Sequence, residues 1–495
     1  MPQIILIISS AILTGIAQQP LGLGWLAWFS LIPFIIGIRN ICSFKDHLKL
    51  GFTWGFFYNL TIIFWIAQNL GTNLTIGIIS MFSAVILFSM NTILIMVAFY
   101  FIKRSVGQFS YLLLPFIWVS IEYIRSFGAL ANPWISLANT QIDFLTLIQN
   151  AEYTGIYGIS FWIVLINLLA YEWYCEKNKK AAFSWLTVFC LPWITGLIIM
   201  PTQTTHLQDS IDVTIVQPNV HLSEKRRQGA TSKNINNLLK LSFSDNYEKD
   251  RLVIWPETST MSYLLQNGGR YLNQIQRLLA ITNSELLTGL PVYKKDVDGQ
   301  YLYYNAIAHV RADTVADVYE KIHLVPMGEY IPLSPIFPSL KKLNLGQANF
   351  EHGDEFTIFD YKGHKLGGMV CLESTFPQLN RQFVLKGAEV LFYVVNDGWY
   401  ENPPEPQQHA RQTIFRAIEF RRPILRCANT GISQIVDATG NIRHQTQLNK
   451  TEVIRASVMP NSELTFYTKF GDVFAWLNLL IIMVFLGRGI LQKND

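Results

Sequence analysis

Long apolar runs constrain this chain more than any other feature of its sequence. A helix that crosses the hydrocarbon core of a bilayer needs about 20 mostly apolar residues, somewhat fewer where flanking side chains snorkel. Eight stretches meet that need: residues 3–19, 24–38, 51–67, 75–102, 109–125, 156–173, 183–200 and 472–488. Seven of them crowd into the first 200 residues, where charges are isolated, whereas residues 201–471 have the mixed composition of a globular domain. Only 15% of the 495 residues are charged, against about a quarter in soluble proteins. We therefore expect a membrane domain over residues 1–200, a water-facing domain over 201–471, and a last span with a short tail over 472–495. The first boundary falls at Pro201 and Thr202. The first run lacks a basic segment ahead of it and a small-residue cleavage site, so it reads as a retained helix rather than a signal peptide.

Lysine and arginine in short loops orient such a chain, because positive loops stay cytoplasmic. Arg39, Lys45 and Lys49 follow the second run, Lys103 and Arg104 the fourth, Lys177, Lys179 and Lys180 the sixth, and Arg488 and Lys493 the eighth. The loops after the first and third runs carry none, nor does the long loop 126–155. The alternation places both termini in the cytoplasm and the large domain outside, on the periplasmic side of a bacterial inner membrane.

The net charge of +4 comes without a basic stripe interleaved with aromatics, so nucleic acid is not an expected partner. Of five cysteines, only Cys371 and Cys427 fall in the exported domain. They could pair in an oxidising compartment, or one could be a free functional thiol. No CxxC or Cys/His ligand spacing is present, so a zinc site is not expected; no other metal or cofactor is expected either.

The exported domain alternates β-branched runs with helical segments. Strands are expected at 213–217, 252–255, 286–290, 306–310, 315–319, 366–370, 391–395, 424–427 and 433–436, and helices at 233–241, 270–280, 376–386 and 407–419. This is the pattern of a layered α/β domain with mixed sheets. Polar residues that end apolar strands are where such folds keep their chemistry. Three places qualify: Glu257 after Trp255 and Pro256, Lys321 after the strand ending at Tyr319, and Cys371 between a strand and a helix start. Taken singly, Glu257 reads as a cap, Lys321 as a solvated charge and Cys371 as a small buried hydrophobe. Together they make a set for covalent acyl chemistry. A helix N-terminus lowers a thiol's pKa, a carboxylate takes and returns its proton, and an ammonium with the Leu372 backbone N–H stabilises an oxyanion.

A Glu, Lys, Cys order in an α/β domain resembles the nitrilase superfamily. Narrower words resemble the apolipoprotein N-acyltransferase family: WPE at 255–257, LVPMGEYIP at 324–332, VCLES at 370–374, NDGWY at 396–400, and the segment 409–433. In the membrane half, WVSIEYIR at 118–125, Asn132 to Trp134 and GIYGISF at 155–161 resemble that family too. The resemblance implies an α/β nitrilase-like αββα domain plus a polytopic α-helical membrane domain of about eight transmembrane helices. It implies a triad of Glu257, Lys321 and Cys371, with Glu329 holding Lys321 and Glu373 either orienting substrate or tuning the thiol. The implied reaction takes an acyl chain from a membrane phospholipid, typically phosphatidylethanolamine, through a thioester on Cys371. It passes the chain to the N-terminal amine of a diacylated apolipoprotein. A monomer is expected. Leu372 stands where the family often has Tyr, and the stretch 217–227 lacks a Trp often found there.

Asn396, Trp399 and Tyr400 read either as substrate-contacting residues at a cleft mouth or, for the two aromatics, as interfacial anchors. His309, His323 and His409 show no Cys/His/Asp arrangement in sequence and read as structural. Arg411, Arg416, Glu419, Arg421 and Arg422 read as a salt-bridged helix, and Pro403, Pro404 and Pro406 as a flexible loop or lid. Two competing functions are a membrane-tethered nitrilase-type amidase, in which water resolves the thioester, and a transporter with an accessory domain. The first would need only one anchoring helix. The second would need ionisable groups inside the bundle, where Glu122 is nearly alone.

Overall fold

The computed structural model describes residues 3–200, 210–225, 229–243, 250–260, 262–267, 269–332, 339, 349–400 and 403–491. The boundary expected at Pro201 and Thr202, the tail Lys493 and part of the stretch 217–227 lie outside these residues. The chain separates into two compact units, Met1–Pro201 with Phe470–Asp495, and Thr202–Lys469.

The first unit is helical. Among the described residues, five helical runs are long and apolar enough to cross a membrane: Phe44–Gln68, Leu74–Ile124, Ala151–Tyr174, Lys179–Ile199 and Val473–Leu491. The 51-residue run Leu74–Ile124 covers two of the expected spans. At about 1.5 Å per residue it is far longer than a core of about 30 Å. It breaks at Gly107, whose φ of 56° suits glycine, and resumes through a 3-10 segment, Gly107–Leu113, into the helix Leu114–Ile124. The first two expected spans are shorter. One is the helix Gln3–Gln18; the other, 24–38, is not a single helix but a 3-10 turn Gly24–Trp28 followed by the helix Ile32–Ile38, with Pro33 in its first turn.

Several polar groups inside this unit find protein partners, which an apolar surround favours. Thr14 Oγ1 donates to Ser10 O at 2.8 Å and is hydrogen-bonded to Ser30 Oγ at 2.7 Å. Trp54 Nε1 donates to Ser10 Oγ at 3.0 Å, and its ring stacks on Tyr58 with centroids 4.6 Å apart. Glu122 accepts from Leu137 N at 2.9 Å and from Ser136 Oγ at 2.8 Å, with Arg125 at 3.7 Å.

The second unit holds two six-stranded sheets. The first runs β12-β1-β2-β3-β4-β5, built from β1 (Ile211–Gln217), β2 (Leu252–Trp255), β3 (Glu285–Lys295), β4 (Tyr301–Val310), β5 (Val315–Glu320) and β12 (Glu452–Val458). The second runs β11-β10-β9-β8-β7-β6, built from β6 (Ile358–Tyr361), β7 (His364–Val370), β8 (Val390–Val395), β9 (Ile424–Ala428), β10 (Gln434–Val436) and β11 (Ile442–Gln445). Central pairs β1–β2, β2–β3, β7–β8 and β8–β9 are parallel, and each sheet finishes in antiparallel pairs. β1 touches β9 and β4 touches β7, so the sheets pack face to face.

Helices cover the outer faces. Ala230–Ser242 and Gly269–Thr282 press Ile235, Leu238, Ile275 and Leu279 against Val216, Val253, Trp255 and Leu286 of the first sheet. Pro377–Leu385 and Glu405–Phe420 lie on the second. The order is helix, sheet, sheet, helix. Pro404 and Pro406 do not form a flexible loop. Pro404 caps the helix Glu405–Phe420 and Pro406 sits in its first turn, where a missing N–H leaves no bond unmade.

Candidate active site

Glu257 follows β2, a strand buried along its whole length. The chain reverses through Thr258 at a φ of 48°, and the turn lies so close to β3 that a Cβ on Gly289 would fall 2.6 Å from Glu257 Cα. Lys321 follows β5, its N–H bonded to Asn305 O of β4 at 2.8 Å. Cys371 follows β7 and opens the 3-10 turn Cys371–Thr375 at a φ of 54°, a conformation that non-glycine residues adopt only where the surrounding structure enforces it. One sheet supplies the carboxylate and the amine, the other the thiol.

These three residues share one electrostatic centre. Burial raises the Cys371 thiol pKa well above the ordinary value, and the Glu257 charge adds to this while Lys321 opposes it. The resting thiol is therefore protonated, contrary to the lowering expected from its place ahead of a helix. Desolvation in the closed sheet ends outweighs the dipole of a short 3-10 turn. Burial also raises Glu257, with Glu329 adding and Lys321 opposing. For Lys321, burial works against the charge, but Glu329 and Glu257 more than offset it and the ammonium is held firmly protonated.

The supporting contacts are specific. Lys321 Nζ lies 2.8 Å from Glu329 Oε2. Asn305 Nδ2 donates to Glu257 Oε1 at 2.7 Å and to Glu329 Oε1 at 2.8 Å, bridging two acids that would otherwise repel. Glu373 neither faces a cleft nor sits free to orient a substrate. It is fully buried, and its oxygens accept from Tyr319 Oη, Ile322 N, His323 N and Val370 N at 2.8 to 2.9 Å. It ties the loop after Lys321 to the strand that presents Cys371.

Comparison with known proteins fits this architecture. Residues 10–169 match the model of the apolipoprotein N-acyltransferase N-terminal domain, and residues 212–463 match that of the carbon-nitrogen hydrolases. An apolipoprotein N-acyltransferase of Geobacter metallireducens is 31% identical, over 94% of this chain and 91% of its own length. One from Chlorobaculum tepidum is 30% identical, over 90% and 88%. The chain belongs to the apolipoprotein N-acyltransferase family. It is an acyltransferase of nitrilase-like fold joined to a membrane-embedded helical unit, and lipoprotein N-acylation is the activity its relatives support. Among solved structures, the yeast nitrilase-superfamily protein Nit3 is 19% identical with a TM-score of 0.39, covering 52% of this chain and 93% of that one.

In this family member several residues enter the site that the sequence did not mark. Asn305 is one, a polar side chain within an otherwise apolar buried stretch of β4. Lys225 is another: it is buried, donates to Thr258 O at 2.9 Å, and burial brings its pKa down to about 8 against the pull of Glu257. His409 is the third. Read as structural from sequence, it lies behind Cys371, with Nε2 3.2 Å from Cys371 O and Nδ1 2.9 Å from Asp397 Oδ1. His309 is paired with Glu285 at 2.6 Å, and the His323 ring packs on Phe376.

Asn396 is buried, and its Oδ1 accepts from Asn429 at 3.0 Å. Trp399 and Tyr400 lie half-buried at the 3-10 turn Asp397–Trp399 and just beyond. Cys371 and Cys427 are unpaired by any disulfide; Cys427 Sγ lies between the sheets, 3.3 Å from both Val216 O and Ile254 O. The expected salt-bridged helix is present in Arg416 and Glu419 at 2.8 Å. Arg422 leaves it, donating to the carbonyls of Ala388 and Glu463. Asp397, Glu405 and His409 bring potential ligand atoms within 4.8 Å of one another. However, Arg426 already pairs with Asp397 at 3.0 Å, and burial with the Asp397 charge raises the Glu405 pKa well above the ordinary carboxylate value. A guanidinium already fixed on Asp397 suits a hydrogen-bonded support, not a cation site.

Proposed function

We propose that Cys371, Glu257 and Lys321 carry out ping-pong N-acylation of lipoproteins. The observation that carries this reading is the convergence of the three on one buried centre, tied together by Asn305 and Glu329. Glu257 takes the thiol proton as Cys371 attacks the acyl ester of a membrane phospholipid. The oxyanion of the tetrahedral intermediate is met by Lys321 and the Leu372 N–H. On collapse the ester C–O bond breaks, and Glu257 returns its proton to the leaving glycerol oxygen, releasing a lysophospholipid. The neutral α-amine of a diacylglyceryl-cysteine then attacks the thioester, gives its proton to Glu257, and the thiolate leaves and recovers that proton. The product is an N-acylated lipoprotein. A neutral resting thiol beside a carboxylate of raised pKa suits a base that must accept and return one proton twice.

The same reading assigns residues 1–200 and 472–495 to the membrane domain and 201–471 to the catalytic domain. It places the termini in the cytoplasm and the catalytic domain on the periplasmic side, by the distribution of basic loops. Phosphatidylethanolamine is the proposed donor, the enzyme working as a monomer.

The test is mass spectrometry of the purified enzyme incubated with phosphatidylethanolamine, native and Cys371→Ala, followed by a diacylglyceryl lipopeptide. A fatty-acyl mass on the Cys371 peptide, absent from the variant and discharged onto the lipopeptide amine, is the expected result. Discharge to water alone would replace acyl transfer by amidase-type hydrolysis.

A further inference from the structure

A serine, a histidine and an aspartate form a continuous chain beneath Cys371. Ser374 Oγ lies 3.1 Å from His409 Nε2, His409 Nδ1 lies 2.9 Å from Asp397 Oδ1, and Arg426 holds Asp397 at 3.0 Å. All four side chains are buried, and Ser374 is 1% exposed, so its hydroxyl does not serve as a nucleophile. The chain ends instead on the backbone of the thiol-bearing residue. Ser374 Oγ lies 2.8 Å from Cys371 O, and His409 Nε2 lies 3.2 Å from the same oxygen.

The peptide joining residues 371 and 372 is planar, with its C=O and N–H pointing in opposite directions. Whatever holds the Cys371 carbonyl inward therefore aims the Leu372 N–H outward. That N–H belongs to the first turn of Cys371–Thr375 and has no acceptor within its own helix. The peptide also needs holding, because Cys371 sits at a φ of 54°. The Arg426 charge keeps Asp397 ionised, so His409 Nδ1 carries a proton for it. Burial, with the Arg426 charge, lowers the His409 pKa, so the resting ring is neutral and its Nε2 accepts the Ser374 hydroxyl, holding the turn through Ser374; a charged ring donates through Nε2 to Cys371 O. It grips the turn in either state.

We propose that His409, backed by Asp397 and Arg426, is a positioning residue that presets the Leu372 N–H as an oxyanion donor for both half-reactions. This rests on the thioester reading above. It predicts loss of transition-state stabilisation without loss of substrate binding or of thiol reactivity.

The experiment uses full-length enzyme with His409→Ala, His409→Gln and Gly431→Ala. A Cβ at Gly431 would fall 2.0 Å from Asp397 Oδ2, so this last change displaces Asp397 without altering His409. Thioester formation from phosphatidylethanolamine and transfer to a lipopeptide are followed in single turnovers, beside alkylation of Cys371 by iodoacetamide, in which no oxyanion develops. His409→Ala is expected to slow both acyl steps about 10- to 100-fold, part of the ~10²–10³ that losing an oxyanion donor costs. KM and the alkylation rate should stay at native values. His409→Gln, whose amide can accept or donate near the Nε2 position, should recover most of the rate, and Gly431→Ala should reproduce the split even where His409→Ala does not fold. Alkylation falling in step with acylation, or acyl steps unchanged in Gly431→Ala, would overturn the proposal. A native enzyme that alkylates at Cys371 yet forms no thioester would instead defeat the underlying acyl-transfer reading.

Discussion

Lys321 Nζ lies 2.8 Å from Glu329 Oε2, with the lysine side chain 1% and the glutamate 12% exposed. A buried ammonium left without its partner is strongly destabilising, by about 3–5 kcal/mol. In Glu329→Gln the ammonium turns to Glu257, neutralising the base and leaving the oxyanion site together. Thioester formation should slow by about 10²-fold, and thermal unfolding in detergent should come earlier. Native-rate acylation in this variant would show that Glu329 has no part in placing Lys321.

Asn305 lowers the proton affinity of Glu257 by donating to its carboxylate, against burial that raises it. A carboxylate serves as base only above its pKa, so thioester formation should be lost as pH falls through a value above the ordinary carboxylate range. Asn305→Leu removes the donor and raises that value, so the ascending limb of the pH–rate profile should move to higher pH. A limb that stays in place would dissociate Asn305 from the base.

Glu373 accepts from three backbone N–H groups and one phenol, yet burial raises its pKa to about 7 from an ordinary 4.5. A carboxyl raised on folding favours the fold most below its unfolded pKa, and that contribution fades as pH rises through about 7. Glu373→Gln should flatten this decline. It also sets an amide NH2 against at least one N–H, at a cost of about 1–3 kcal/mol. Thermal unfolding of both forms between pH 4.5 and 8 measures the slope and the offset, and parallel curves would exclude Glu373 as the source.

Cys427 is sealed between the sheets and Cys371 is partly exposed. Under non-reducing conditions a thiol reagent should modify Cys371 and leave Cys427 untouched, as read by peptide mass spectrometry. Cys427→Ala should still form the acyl adduct. A Cys371–Cys427 disulfide peptide would contradict the arrangement of the two sheets.

The central strands were legible because each is a short apolar run buried on both faces; β2 occupies the expected residues 252–255 without change. β6, β11 and β12 were not. β11 is exposed throughout, and β12 returns from the far end of the domain to pair Val458 with Ile211. Neither fact leaves a local hydrophobic period. β3 and β4 run past their expected ends because a register from Leu286–Val310 to Lys295–Tyr301 holds exposed residues in the ladder.

Sequence alone determined the apolar runs, the α/β alternation and the three residues fit for acyl chemistry, since hydrophobic period and side-chain type are local properties. It also carried the family words around them. Tertiary structure decided how that chemistry is held. Asn305 bridges Glu257 and Glu329 across strands, Glu373 bonds backbone groups about fifty residues away, and His409 reaches the Cys371 carbonyl from a different helix. It also decided the resting state of the thiol, because desolvation depends on what two packed sheets exclude, and no stretch of sequence records that.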